Sequence, residues 1–384
     1  MSNYKYLTNK RLFYLLPKSN FFQEGERGRV THALGIAKGF AENEFEVNLV
    51  SGPKIHEYTN RLTERVSIHE LEKNASEKNW RKKLITLQKN QLSENDLFLI
   101  RYAISIPFFM TKMARLAKRK KALSIVEVNS LAIHNIKTLP SFLRQFLLKF
   151  ESFILSKYDV VYVVSETLKK QLKQANKKLN VIVVPNAANQ QHKLPGKKGG
   201  KKRIVYMGTM QPYYDFNLLI EGFNRLLQDY PEITLEFYGK GSKFNDTASS
   251  VKNNHQIKLH GRYDNENIPE LLNRDSDILV LPYKNIPNSN IRSPIKLFEY
   301  MSLGLPILGS NVGQLNEIIT DGQNGFLYKE GDSESLYRKL KYIYENYDFA
   351  AKVGSHAYDE FVKQHTWQYR VKEMIEKISN AKPK

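Results

Sequence analysis

The chain has 384 residues, more than one hydrophobic core supports, so two domains are expected. Residues AVILMFWYC make up 41% and cysteine is absent, which excludes wholesale disorder, a disulfide scaffold, a thiolate metal site and a cysteine nucleophile. Lys and Arg number 59 against 39 Asp and Glu, a net charge of +20 whose field attracts polyanions: nucleic acid, anionic lipid or a phosphorylated substrate.

Arg11-Leu-Phe-Tyr-Leu-Leu16 reads as a strand stopped by Pro17. A loop with Gly25 and Gly28 follows, then helical spacing from Val30 to Ala41 and a second strand, Phe45–Val50. This strand–loop–helix–strand unit starts a parallel sheet. The pattern continues with strand Asp96–Ile100, basic helix Met110–Lys121, strand Leu123–Val128, helix Leu139–Lys157, strand Val160–Val164, a helix from Ser165 and strand Val181–Val184. Lys193-Leu-Pro-Gly-Lys-Lys-Gly-Gly-Lys-Lys-Arg203 breaks the composition, with three glycines, one proline and six Lys or Arg, and reads as an interdomain linker over 191–202. The winding restarts with strands 203–207, 233–238, 257–260, 277–281 and 306–308, helices between them and two helices at the end. The fold class is α/β: two doubly wound parallel-sheet, Rossmann-like domains of 1–190 and 203–365, with ligands expected at the carboxyl ends of the strands. No apolar run approaches the roughly 18–20 residues that cross a bilayer, and Met1–Arg11 lacks the apolar stretch of a secretion signal. A cytoplasmic protein is expected.

The most informative stretch is Arg292-Ser-Pro-Ile-Lys-Leu-Phe-Glu-Tyr-Met-Ser-Leu-Gly-Leu-Pro306. Ser293 suits an N-cap, Pro294 the first helical position, and Gly304 with Pro306 the stop, which predicts a helix of about ten residues. Its amino end would favour a phosphate. Lys296 in the first turn opposes the helix dipole, as a bound anion would explain, and Glu299 shares its face and could accept bonds from sugar hydroxyls. A capped core helix with a surface Lys–Glu pair is the competing reading.

This stretch resembles the Ser-Pro-x-Lys…Glu-Tyr-Met segment of retaining GT-B glycosyltransferases of family four, the glycosyl transferases group 1. Other segments match that family in order: Arg101-Tyr102, Glu127-Val-Asn129, Tyr158–Ser165, Val184-Pro-Asn186, Gly322-Gln-Asn-Gly-Phe-Leu-Tyr328, and Thr366-Trp367 with Arg370 in a closing helix, about 366–380, that returns to the first domain. The resemblance implies sugar transfer from a nucleotide-diphosphate sugar with retention at the anomeric carbon, without metal or other cofactor. It puts the donor on the second domain. Glu299 would hold the ribose; Arg292, Ser293, Pro294, Ile295 and Lys296 the diphosphate; Gly208, Thr209 and Tyr213 the first strand end; and Arg262 and Tyr263 the base. On the first domain, Gly25, Gly28, His32 and Arg101 would face the donor or acceptor, with Glu127 and Asn129 as catalytic candidates beside Lys296. The acceptor would be a saccharide or lipid-linked saccharide of bacterial surface polysaccharide synthesis. The chain departs from the family at Ile291, where many members carry a second glutamate. It departs again at Met210-Gln-Pro-Tyr-Tyr-Asp215, where many carry an Arg and a Lys for the diphosphate.

Gly239-Lys-Gly241 reads as a tight strand–helix turn, since the third glycine of a dinucleotide fingerprint is missing. His260 and His365 read as structural. The 139–157 helix reads as core-packed, with membrane contact as the alternative; the basic run Arg115–Lys121 and the +20 charge favour a peripheral position at the inner face of the cell membrane. A nucleic-acid-binding module is disfavoured, because the basic residues are spread along the chain and no recognition motif occurs. A non-catalytic glycosyltransferase-like partner subunit stays open, as does the oligomeric state.

Overall fold

The structure, a computed structural model, describes residues 9–18, 20–22, 27–70, 76–134, 136, 140–191, 193–194, 202–263, 267–272 and 276–380. The chain divides into two units, residues 1–187 with 367–384, and residues 188–366.

The first unit runs β1 (Arg11–Leu15), α1 (Arg27–Glu42), β2 (Glu46–Ser51), β3 (Val66–Glu70), α2 (Glu77–Gln91), β4 (Leu97–Arg101), α3 (Pro107–Arg119), β5 (Leu123–Val128), α4 (Ser141–Leu155), β6 (Val160–Val163), α5 (Glu166–Ala175) and β7 (Val181–Val183). Its seven strands are all parallel, in the order β3-β2-β1-β4-β5-β6-β7. Leu12–Leu15 and Leu97–Ile100 are buried without alternation, as strands covered by helices on both faces must be. Right-handed crossovers put α2 to α5 on one face of this sheet and α1 on the other.

The second unit runs β8 (Lys202–Met207), α6 (Phe216–Asp229), β9 (Thr234–Tyr238), α7 (Phe244–Ser250), β10 (Ile257–Gly261), α8 (Ile268–Leu272), β11 (Ser276–Leu281), α9 (Pro287–Asn290), α10 (Ile295–Met301), β12 (Ile307–Ser310), α11 (Leu315–Ile318), β13 (Phe326–Tyr328), α12 (Ser333–Glu345) and α13 (Tyr347–Gln364). Its six strands are parallel in the order β10-β9-β8-β11-β12-β13. A buried Arg203 ties three of them together: Nε donates to Asp277 at 2.7 Å and Nη1 to Glu236 at 3.2 Å.

The closing helix α14 (Trp367–Ser379) belongs to the first unit. Its Trp367 is buried against α1, where Gly35 and Gly39 have no side chain to hold it off: a Cβ on Gly35 would lie 2.1 Å from the indole.

Three expectations need correction. The 293–304 helix is shorter than predicted: α10 has seven residues and Pro294, with φ −75° and ψ 109°, stands outside it as the cap, so Ile295 is the first helical residue and Ser293 does not cap. The stop is as expected, with Gly304 at φ +74°. The linker does not begin at 191: Leu194 is buried and its N–H donates to the Leu303 carbonyl at 2.9 Å, while Lys193 pairs with Asp359 at 3.5 Å, so both belong to the second unit. The central run 195–201 lies outside the described residues. Finally, α4 is core-packed only at its carboxyl end and not along its phenylalanines. Glu151, Ser152, Ile154 and Leu155 are buried, whereas Phe142, Phe146 and Phe153 are exposed.

Candidate functional site

Each unit gathers predicted residues at the carboxyl ends of its strands. In the second unit, strands β8, β9 and β10 end in the three backbone steps Gly208, Gly239 and Gly261. Gly208 N–H donates to the Tyr238 carbonyl at 2.8 Å, and a Cβ on Gly239 would lie 1.8 Å from the Gly208 carbonyl oxygen. Gly239-Lys-Gly241 is therefore a tight turn made by close backbone approach, as its sequence implied.

Lys296 comes up against this turn from α10. Its Cε would be 3.2 Å from a Cβ on Gly208. Its Nζ lies 2.6 Å from the Glu299 carboxylate and donates to the Tyr263 hydroxyl at 3.2 Å. The lysine side chain is only 17% exposed. Burial would lower the pKa of its ammonium, but the Glu299 carboxylate, with Tyr263 and Tyr300, outweighs burial and raises it above the ordinary value. Lys296 is thus a fixed cation at the strand ends.

A second cation stands beside it. The Arg292 guanidinium lies 4.4 Å from the centre of the Tyr213 ring, and Tyr213 stacks on Tyr283 at 6.0 Å. Tyr283 is buried and lies in the field of both Arg292 and Lys296. The aromatic residues that replace the expected Arg and Lys after Gly208 therefore carry Arg292. Ser293 is buried, Pro294 and Ile295 are half-buried, and Thr209 and Arg262 are exposed. His260 is structural: Nε2 lies 3.0 Å from Glu236 and the ring stacks on Tyr238 at 4.3 Å. Burial pushes the Glu236 carboxyl up, but the His260 and Tyr238 hydrogen bonds and the Arg203 charge hold it down at about 2.

In the first unit, register sets Arg101, the last residue of β4, opposite Glu127 near the end of β5. Glu127 is wholly buried and is the centre of a polar knot. Arg101 Nη1 lies 3.2 Å and His32 Nε2 2.9 Å from Oε1; Asn129 donates to the same oxygen; Tyr14 donates to Oε2 at 2.5 Å. His32 Nδ1 meets Asn186 Oδ1 at 2.7 Å. Burial pushes the Glu127 carboxyl up, yet His32, Arg101 and the Tyr14 hydroxyl more than offset it and hold the carboxyl at about 2. The predicted residues His32, Arg101, Glu127 and Asn129 thus come together. Glu127 is an ionised, fully engaged anchor out of reach of solvent. Tyr14 went unnoticed because it lies inside an apolar strand run. Gly28 is exposed in the first turn of α1, and Gly25 lies outside the described residues. Phe21 adds a contact with no sequence signal: its ring lies 4.6 Å from Arg29 and 5.1 Å from Arg101. His134, near Asn129, accepts from the Leu131 N–H at 3.1 Å and meets Gln171 of α5 at 2.8 Å, so it is held between its loop and α5.

Residues 187–360 match the family model of glycosyl transferases group 1. An uncharacterized glycosyltransferase of Methanocaldococcus jannaschii is 23% identical over 227 residues, covering 58% of this chain and 60% of the relative. The chain spans between 46% and 60% of the length of the first curated relatives it matches. Among solved structures, TarM is similar with a TM-score of 0.76 and 12% identity, covering 97% of this chain and 99% of that one. HepE of Anabaena in complex with UDP-glucose is similar with a TM-score of 0.68 and 13% identity, over 96% and 99%. Among the described residues no helix is long and apolar enough to cross a membrane. The chain therefore has the GT-B fold, and nearly all of its second unit matches the glycosyl transferases group 1 model.

Proposed function

We propose that this protein is a retaining, metal-independent glycosyltransferase of family four. It moves a sugar from a nucleotide-diphosphate sugar to a saccharide or lipid-linked saccharide, at the cytoplasmic face of a membrane. The observation that carries this reading is Lys296, a nearly buried cation 2.6 Å from Glu299 and packed on Gly208, inside the segment that matches glycosyl transferases group 1. Departure of a diphosphate concentrates charge on its oxygens, so a fixed cation there stabilises the transition state more than the ground state. Lys296, with Arg292, takes the diphosphate; Glu299 takes the ribose hydroxyls; Tyr263 and Arg262 flank the base. The C1–O bond to the diphosphate breaks with its electron pair going to the leaving oxygen. The acceptor oxygen bonds C1 from the same face, and its proton passes to the departing phosphate. No strong protein base is needed, which agrees with a Glu127 that is buried and fully paired. Glu127 and Asn129 act by positioning His32 and Arg101 on the acceptor side. HepE's complex with UDP-glucose is consistent with a nucleotide-sugar donor.

A thermal-shift panel of UDP, GDP, ADP, dTDP and CDP sugars tests the reading. One donor at 100 times its dissociation constant should add about 2.7 kcal/mol to stability, and the same donor should release its nucleoside diphosphate when acceptor is supplied. No shift with any donor overturns donor binding; a shift without release under any acceptor condition leaves a non-catalytic partner subunit.

A further inference from the structure

The α4 helix turns its phenylalanines away from the core, while Ile154 and Leu155 at its carboxyl end face inward. Phe142, Phe146 and Phe153 are 69%, 69% and 56% exposed, and Leu143 and Phe150 are exposed beside them. The spacing 142, 146, 150, 153 is one helical stripe. The buried side of α4 is its carboxyl-terminal turns, where Ile154 and Leu155 pack inward and Glu151 accepts from the Ala132 N–H at 3.0 Å and from the Tyr102 hydroxyl at 3.1 Å. Single exposed apolar residues are ordinary, but a contiguous aromatic stripe marks an interaction face.

The neighbouring helix tells which partner fits. Helices α3 and α4 share one side of the sheet, and the Tyr158 hydroxyl after α4 donates to the Met110 carbonyl of α3 at 2.7 Å. Residues 107–121 hold six Lys or Arg and no Asp or Glu. Phe108, Lys112, Arg115 and Arg119 are exposed along one stripe of α3, with Phe108 90% exposed at its amino end. At the far end of α4, Lys157 Nζ lies 4.0 Å from the Phe153 ring centre. Aromatic side chains flanked by basic ones suit the boundary between lipid headgroups and acyl chains. A symmetric dimer through this face would set the basic stripe of α3 against itself, since a two-fold interface pairs a patch with its own copy.

We propose that the α3–α4 face lies on an anionic lipid bilayer, the phenylalanines of α4 entering the acyl boundary and the basic stripe of α3 resting on the phosphates. This site stands apart from the donor assignment, which concerns the second unit. Flotation of the full chain with phosphatidylcholine vesicles, with and without phosphatidylglycerol, tests it at low and high salt. Wild type should float with the anionic vesicles only. The triple variant Lys112→Gln, Arg115→Gln, Arg119→Gln should bind them at least about tenfold more weakly. Phe146→Glu with Phe153→Glu should lose the binding that survives high salt, with an unchanged melting temperature. A Phe146→Trp variant should show a blue shift of its emission on the same vesicles. Wild type that floats with no anionic vesicle, variants that float like wild type, or a dimer that Phe146→Glu dissociates while vesicles stay unbound would each overturn the proposal. Nucleotide binding measured without vesicles reports separately on the donor site.

Discussion

His32 Nε2 and the Glu127 carboxylate lie 2.9 Å apart, and both side chains are buried. The pair joins the amino-terminal half of α1 to the end of β5, and Arg101, Tyr14 and Asn129 close around the same carboxylate. Such a knot holds its members in one arrangement because each lost partner leaves a buried polar group unpaired.

Acid should loosen this knot in a defined range. The folded carboxyl of Glu127 sits at about 2, below its ordinary value of 4.5. A depressed folded pKa gives stability that is present above 4.5 and is lost as pH falls from there toward 2. Glu127→Gln keeps the shape and removes the charge. It should destabilise the first unit at pH 7 by about 3 kcal/mol or more, the cost of breaking a buried ion pair. The wild-type advantage should shrink on acidification. Chemical denaturation of both proteins at pH 7 and pH 3 measures it; a difference independent of pH counts against an ionised Glu127.

The paired parallel sheets were legible in the sequence because their strands are continuous apolar runs stopped by Pro, Gly or Asp, such as Leu97–Ile100. Strand β3, Val66-Ser-Ile-His-Glu70, carried no such signal: it is an edge strand with half-exposed residues. Helix α2 was missed for a related reason, since its buried stripe is only Trp80, Leu84 and Gln88. In the site, Lys296 and Glu299 were legible because three-residue spacing on a helix forces them together. The Arg292–Tyr213 contact was not, because it joins residues 79 positions apart across two loops. The apolar spacing of α4 pointed its phenylalanines inward, whereas the buried positions are Glu151, Ser152, Ile154 and Leu155.

The return of α14 depends on the two bare positions of α1. Gly35→Ala would put a methyl group 2.1 Å from the Trp367 indole, so the helix or the ring must move. Overpacking of this kind costs about 1–3 kcal/mol. Trypsin should then cut sooner at the exposed Lys372, and tryptophan emission should shift red. Gly28→Ala serves as the control: a Cβ there meets nothing within 4 Å, and α1 should be as stable or slightly more so. Equal protease resistance of Gly35→Ala and wild type would show that Trp367 is not held by this contact.

Lys296 should matter in proportion to its charge and its reach. Lys296→Ala should raise donor KM or depress kcat at least about tenfold, as loss of one fixed cation at a developing anion does. Glu299→Gln removes the carboxylate 2.6 Å from Nζ while leaving the amide able to meet a hydroxyl. It should weaken binding of the nucleoside diphosphate less than Lys296→Ala does. Wild-type kinetics for Lys296→Ala would end the assignment of the diphosphate to this lysine.

Glu151 gives a pH response of the opposite sign to Glu127. Burial pushes its carboxyl up to about 7, against the Ala132 N–H and the Tyr102 hydroxyl, which favour the charged form. A raised folded pKa means that the folded protein holds a proton the unfolded chain has already lost. Stability from this group is therefore full below 4.5 and falls as pH rises toward about 7, then levels off. Glu151→Gln keeps an oxygen for the Ala132 N–H and carries no charge at any pH. The variant should gain on wild type steadily between pH 5 and pH 7.5, and the gain should be absent at pH 4. Unfolding midpoints at these three values decide it; a variant less stable than wild type by the same amount at all three would mean that Glu151 is held for its hydrogen bonds alone.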